Sequence, residues 1–135
     1  MLKNNKFSFK NLKNIVFLGE DQCLKEFINF NKQLGITSEI ITSPHQVKSI
    51  DKSLNFKKFI TLNKNFKTYI KSRYKIEETL FISLASRWIF SENLINNFFK
   101  KNIINFHGAR LPFDSGSGGF SWNIMRNDRI CLQLV

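Results

Sequence analysis

An asparagine and a histidine stand one residue apart in the stretch INFHGARLP, at the end of an apolar run. If this run is a β-strand, Asn105 and His107 point to the same side of it, because side chains alternate along a strand. A carboxamide N–H can stabilise negative charge developing on a carbonyl-type oxygen, a contribution of about 3–4 kcal/mol per donor, and a neutral imidazole can accept a proton from an attacking amine. Asn105 and His107 are therefore the candidate catalytic pair.

The surroundings of this pair leave a structural interpretation open, in which Asn105 caps a turn and His107 is a half-buried ring. No Ser or Cys occupies the strained turn typical of a covalent nucleophile, so the residues favour direct transfer from donor to acceptor. Four of the chain's six glycines follow the pair, and they allow either a flexible loop or a close backbone approach to a ligand: Gly108, Gly116, Gly118 and Gly119. Phosphate cradling is the minority alternative, because the Lys-Ser/Thr ending of a P-loop is missing.

The elements that must position the pair alternate between strands and helices. Apolar and β-branched runs predict strands over residues 14–19, 37–43, 57–63, 79–86 and 101–107, with a further strand over 129–135. Helical spacing predicts helices from Asp21 to Gly35, over residues 63–74 and from Ser91 to Phe99. This alternation predicts an α/β fold with a Rossmann-like, mostly parallel sheet and flanking helices.

In such sheets, ligands bind beyond the carboxyl ends of the strands. The fourth and fifth strands end in LASRWIF and NFHGARLP, where polar and basic residues replace the apolar pattern, so these ends are the stronger candidates. Gly19 ends the first strand, but GEDQCLKEF lacks the GxGxxG of a dinucleotide site. Gly19 is expected to do no more than relax the turn.

The net charge of +11 is unevenly distributed. Residues 1–75 contain 15 Lys/Arg and 5 Asp/Glu, whereas residues 76–135 contain 6 and 5. Sixteen of the basic residues are Lys, spread singly among Asn, Phe and Ile rather than grouped with Arg, whose planar fork suits phosphate. The pattern favours a solvated basic face over a nucleic-acid surface, without excluding contact between the basic half and nucleic acid.

The length of 135 residues suits one domain with a real core, and residues 1–12 form a basic extension before it. The chain has no apolar run near the roughly 18 residues that a membrane span requires and no signal-peptide pattern, so a cytoplasmic protein without membrane contact is expected. Cys23 and Cys131 lie far apart and have no metal-ligand spacing, which predicts free thiols and no metal site.

The stretch INFHGARLPFDSGSGGFSW resembles the signature of formyltransferases that use 10-formyltetrahydrofolate. The signature runs Asn-x-His-x-Ser-Leu-Leu-Pro, followed after a few residues by Arg-Gly and small residues. The similarity covers most of the chain: NIVFLGEDQCLKEFI is similar to the family's first strand and helix, and LFISLASRWIFSENLINNFFKKNIINFHGARLP to its folate-side strand, helix and catalytic strand. Residues 13–135 are thereby expected to be part of a formyltransferase catalytic domain.

The resemblance implies roles for individual residues. Asn105 and His107 would be two members of the family's Asn-His-Asp catalytic set. The cofactor, 10-formyltetrahydrofolate, would be contacted by a loop after the fourth strand and by a segment after His107: Ser86, Arg87, Trp88 and Ile89, with Ala109, Arg110, Leu111 and Pro112. The acceptor amine would belong to methionyl-tRNA or an amino sugar nucleotide, or to a purine-pathway ribonucleotide, as in family members.

The chain departs from the family pattern at three positions. Ala109-Arg110 replace the Ser-Leu of the signature, and Ser115 stands where the family has Arg before Gly, which puts the folate and substrate contacts there in doubt. The catalytic Asp of the family comes later than the residues that remain after His107, and Asp114 and Asp128 match no such position. The expectation is an incomplete domain, inactive alone, whose Asp lies beyond Val135.

Two alternative functions remain compatible with the sequence. A related branch of the family hydrolyses 10-formyltetrahydrofolate to formate with the same residues. A non-catalytic domain that only holds folate or a nucleotide is favoured by Ala109-Arg110 and the missing Asp, and disfavoured by the retained Asn-x-His and Leu-Pro.

Overall fold

A central β-sheet organises the computed structural model, which describes residues 9–107, 125 and 133–134. The strands within these residues are β1 (Asn14–Gly19), β2 (Thr37–Thr42), β3 (Phe56–Lys58), β4 (Thr79–Leu84), β5 (Ile103–His107) and β6 (Gln133–Leu134). Two α-helices connect them, α1 (Leu24–Gln33) and α2 (Lys64–Arg73), together with a π-helix (Leu94–Phe98) and short 3₁₀ turns at Val47–Ser49 and Ile76–Glu78.

The strand order in the sheet is β3-β2-β1-β4-β5-β6. Strands β1 to β5 are parallel, and β6 pairs antiparallel with β5 through Phe106 and Leu134. The chain adds β2 and β3 on one side of β1 and then returns to add β4 and β5 on the other side. Rossmann-like sheets open a crevice for ligands at such a reversal, which lies here between β1 and β4. The predicted fold class, a Rossmann-like and mostly parallel α/β sheet with flanking helices, is confirmed.

Both faces of the sheet are covered, as the continuous apolar composition of β1 requires. Val16, Leu18 and Phe81 face a core that includes residues of α2 and the π-helix. Ile15 and Phe17 face the opposite core, with Leu24 of α1. Each face therefore has its own hydrophobic layer, and the polar ends of the strands are left at the carboxyl edge.

Several of the predicted strands and helices differ from the structure in where they end or in helix type. The third strand was predicted over residues 57–63 but ends at Lys58; the carbonyl of Ile60 instead accepts a hydrogen bond from the indole Nε1 of Trp88, 3.1 Å away. The predicted helix after Ser91 is a π-helix, although the Ser91 hydroxyl does accept from the Leu94 N–H at 3.2 Å.

The apolar stripe predicted for the first helix is only partly buried. Leu24 is buried, but Phe27 and Leu34 are 41% and 58% exposed. Asp21 lies before the helix, and its carboxylate accepts from the Cys23 N–H at 2.7 Å. Within the described part of the chain, no helix has the length and apolar character needed to cross a membrane.

Candidate functional site

Asn105 lies near the carboxyl end of β5 and lines a cavity of about 390 Å³. The other lining residues are apolar or aromatic: Trp88, Phe90, Ile95 and Ile103. Ile103 shares the face of Asn105 because the two residues are separated by two positions in the strand. The cavity thus combines one half-buried carboxamide with aromatic and aliphatic walls.

The segment after β4 forms one wall of this cavity, and its successive residues alternate between this cavity and a second one. Trp88 and Phe90 line the Asn105 cavity, whereas Ile89 and Ser91 line a second cavity of about 340 Å³ on the other side. The Ser86 hydroxyl accepts from the Trp88 N–H at 3.2 Å and stabilises the start of the segment. The backbone of residues 88–91 therefore separates the two cavities.

The turn between β4 and this segment depends on a close approach of β1 and β4. Gly19 has φ +119°, and a Cβ added there would lie 2.0 Å from the carbonyl oxygen of Leu84. The Glu20 N–H donates to that same oxygen at 3.0 Å. Gly19 therefore does more than relax a turn, because no larger residue fits between the strand ends.

A buried glutamine holds the turn from the side of β2. Gln46 is only 2% exposed, and its Nε2 donates to the carbonyl of Ala85 at 2.8 Å, while its Oε1 accepts from the Ser43 hydroxyl at 3.1 Å. Ala85 has a positive φ of 45°, a conformation that a non-glycine residue adopts only when its surroundings hold it there. Sequence reasoning missed Ser43 and Gln46; the signal was their polarity directly after an apolar strand.

Two buried polar atoms near these strand ends lack a hydrogen-bond partner within the described residues: Ser83 Oγ and Glu20 Oε2. Ser83 is fully buried and pairs in register with Asn105 on the neighbouring strand. Buried polar groups are normally hydrogen-bonded, so an unpaired one points to local strain, a functional role, or a bound water or ion. Both atoms are closed to solvent, so they lie beneath the ligand-accessible surface of the carboxyl edge.

The structure brings together only some of the predicted site residues. Trp88 and Asn105 line one cavity, Ile89 is 93% exposed and lines the other, and Arg87 is exposed. The backbone of His107 belongs to β5, opposite Gln133. Four predicted folate-site residues lie outside the described residues: Ala109, Arg110, Leu111 and Pro112.

The acidic and sulfur-containing groups near the site offer no metal or thiolate chemistry in the part of the chain that is described. No group of three or more His, Cys, Asp or Glu there could hold a metal ion. The pKa of the Cys23 thiol is raised, chiefly by the negative charge of Asp21. Cys23 therefore stays protonated near neutral pH and is a poor nucleophile.

A comparison with protein-family models finds no family that matches this chain, and a comparison with curated proteins finds none similar to it. The functional assignment therefore depends on the site itself.

Proposed function

We propose that this chain carries the folate side of a formyltransferase, which transfers the formyl group of 10-formyltetrahydrofolate to an amine acceptor. The observation that carries the proposal is the shared cavity of Asn105 and Trp88. The family resemblance assigns Asn105 to catalysis and Trp88 to folate contact. Asn105 belongs to β5, and Trp88 follows the end of β4. Methionyl-tRNA or an amino sugar nucleotide is the proposed source of the amine.

The chemistry of the cavity is compatible with a folate. The aromatic rings of Trp88 and Phe90 and the aliphatic side chains of Ile95 and Ile103 suit a flat heterocycle. The Asn105 carboxamide supplies a directional polar group at the same surface. Its amide nitrogen can donate to a ligand and its oxygen can accept from one.

In the proposed reaction, the acceptor nitrogen forms a bond to the formyl carbon and the bond from that carbon to the donor nitrogen breaks. The Asn105 NH₂ donates a hydrogen bond to the formyl oxygen as negative charge develops on it. The imidazole of His107 takes the proton that the acceptor amine loses and gives it to the donor nitrogen of tetrahydrofolate as that nitrogen leaves. A folate bound against the apolar walls would exclude water from the site, which would strengthen the hydrogen bond from Asn105.

The proposal is tested by incubating the full-length protein with 10-formyltetrahydrofolate and a panel of amines, and by measuring formylated products by mass spectrometry. Asn105→Ala is expected to lower the rate by at least about tenfold, given the usual contribution of an oxyanion donor. Asn97→Ala is the matched control, since Asn97 is exposed and bonds only Asn93 among the described residues. A smaller loss in the first variant would contradict the oxyanion role.

Two other results would replace the proposal with an alternative. Formate released without an added amine would identify a hydrolase. Binding of 10-formyltetrahydrofolate in a calorimeter, weakened by Trp88→Ala but accompanied by no loss of its formyl group, would identify a binding domain.

A further inference from the structure

A long segment of the chain is basic without any compensating acid. Residues 52–76 contain eight Lys or Arg and no Asp or Glu. The segment includes β3 and α2, and α2 has no acidic residue in its first turn. Its charge is therefore balanced only by residues from other parts of the fold or by a ligand.

Three lysines of this segment form a stripe on α2, and we call them the lysine stripe: Lys64, Lys67 and Lys71. Their spacing of three and four residues places them on one face of the helix, over a length of about 10 Å. Among the residues that the structure describes, none of the three forms an ion pair. Their positive charges are therefore available to a partner.

The heads of two of these lysines are gathered over one aromatic ring. The Nζ atoms of Lys67 and Lys71 each lie 5.9 Å from the ring centre of Phe98. Cation–π contact of this kind holds flexible side chains in place and reduces the entropy lost when they bind. The stripe is thus partly organised before any ligand arrives.

The stripe also borders a concave surface. Lys67 lines the second cavity, of about 340 Å³, with four polar residues, Thr61, Asn63, Ser91 and Asn93, and three apolar ones, Leu62, Ile89 and Leu94. No acidic residue is among those that line it in the described part of the chain. Hydroxyl and carboxamide donors beside a lysine form the usual surroundings of a phosphate group.

We propose that the lysine stripe and this cavity bind the phosphate backbone of a nucleic-acid strand. A stripe of about 10 Å spans more than one phosphate of a strand, so its lysines can contact different phosphates. A single phosphate would occupy only the cavity and would leave Lys64 and Lys71 unpaired. The sequence alone favoured a solvated face; the gathered lysine heads and the adjoining cavity are what the structure adds.

An anionic membrane surface fits the same region less well. Lipid-binding helices insert an apolar face between the headgroups. The apolar residues of α2, Phe66 and Ile70, are buried in the core of the protein, so this helix has no such face to insert. The contact is therefore expected to be to phosphates and to be independent of base sequence.

The test measures binding of the 135-residue chain to a fluorescein-labelled oligouridine by fluorescence anisotropy across a range of salt concentrations. The triple variant Lys64→Gln, Lys67→Gln, Lys71→Gln is compared with a control of equal charge, Lys10→Gln, Lys32→Gln, Lys48→Gln. The control lysines are exposed and lie on other elements. Circular dichroism confirms that both variants are folded.

Removing three phosphate contacts is expected to lower the slope of log affinity against log salt by about 2, and affinity at about 0.1 M salt by about a hundredfold. The control variant should retain the slope of the original chain. Equal losses in both variants, or no binding of oligouridine by the original chain at low salt, would overturn the proposal. The proposal would also be overturned if the lysine stripe were required for binding to phosphatidylserine vesicles but not for binding to oligouridine.

A second pair of variants tests the cavity without disturbing the helix. Ser91→Asp places a negative charge there and keeps an acceptor for the Leu94 N–H, which Ser91 now binds. Ser91→Asn keeps the acceptor without the charge. Weaker oligouridine binding in the Asp variant alone is expected, and equal binding by both would contradict a phosphate in the cavity. These measurements involve no formyl transfer, so they stand or fall separately from the proposed enzyme activity.

Discussion

Replacing Gly19 by alanine is expected to destabilise the fold far more than the same change at Gly35. A Cβ at position 19 would lie 2.0 Å from the carbonyl oxygen of Leu84, so the ends of β1 and β4 must separate. The displaced oxygen also loses its hydrogen bond from the Glu20 N–H, a contribution of about 1 kcal/mol. The φ of +119° adds strain of about 1–3 kcal/mol for a residue with a side chain.

These contributions predict a loss of about 2–4 kcal/mol in the free energy of unfolding for Gly19→Ala. Gly35→Ala is the matched control, since Gly35 also has a positive φ, +71°, but nothing lies within 4 Å of the added Cβ. It is expected to cost only about 1 kcal/mol. Urea unfolding of the chain, followed by circular dichroism, measures both values. If the two variants lost similar stability, the close approach of Gly19 to Leu84 would not matter as described.

Two further measurements address other buried groups. Tyr69 and Tyr74 are the only tyrosines, and the hydroxyl of each donates a hydrogen bond to the Glu39 carboxylate. Burial is the larger cause and this hydrogen bond the smaller cause that raise both pKa values, that of Tyr74 to about 12. Ultraviolet titration should show little tyrosinate at pH 10, and stability should fall as the pH rises from about 10 toward 12, because only the unfolded chain ionises there; ordinary titration near pH 10 would contradict this. Ser83→Ala should change the free energy of unfolding by less than about 1 kcal/mol, since the hydroxyl has no partner in the described structure, and a larger loss would reveal one.

The local pattern of the sequence determined most of the fold. The alternation of apolar runs and helical spacing predicted the five parallel strands and both α-helices. Each kind of element buries apolar residues at its own sequence spacing, so the spacing indicates the element. It also predicted that Asn105 lies where β5 approaches the carboxyl edge, because polarity returns where a buried strand ends. The bounds of β1 agree with the prediction, since the run is apolar throughout and ends at a glycine.

The tertiary structure decided which residues meet. The sequence predicted folate contacts for the whole segment from Ser86 to Ile89. In the structure, Trp88 lines the cavity of Asn105, whereas Ile89 lines the cavity of Lys67. Gln46 acquired its role only because Ala85 presents a carbonyl to it across 39 positions of the chain. Periodicity describes neighbours a few residues apart, whereas hydrogen bonds between strand ends and a shared cavity wall depend on residues that only folding brings into contact.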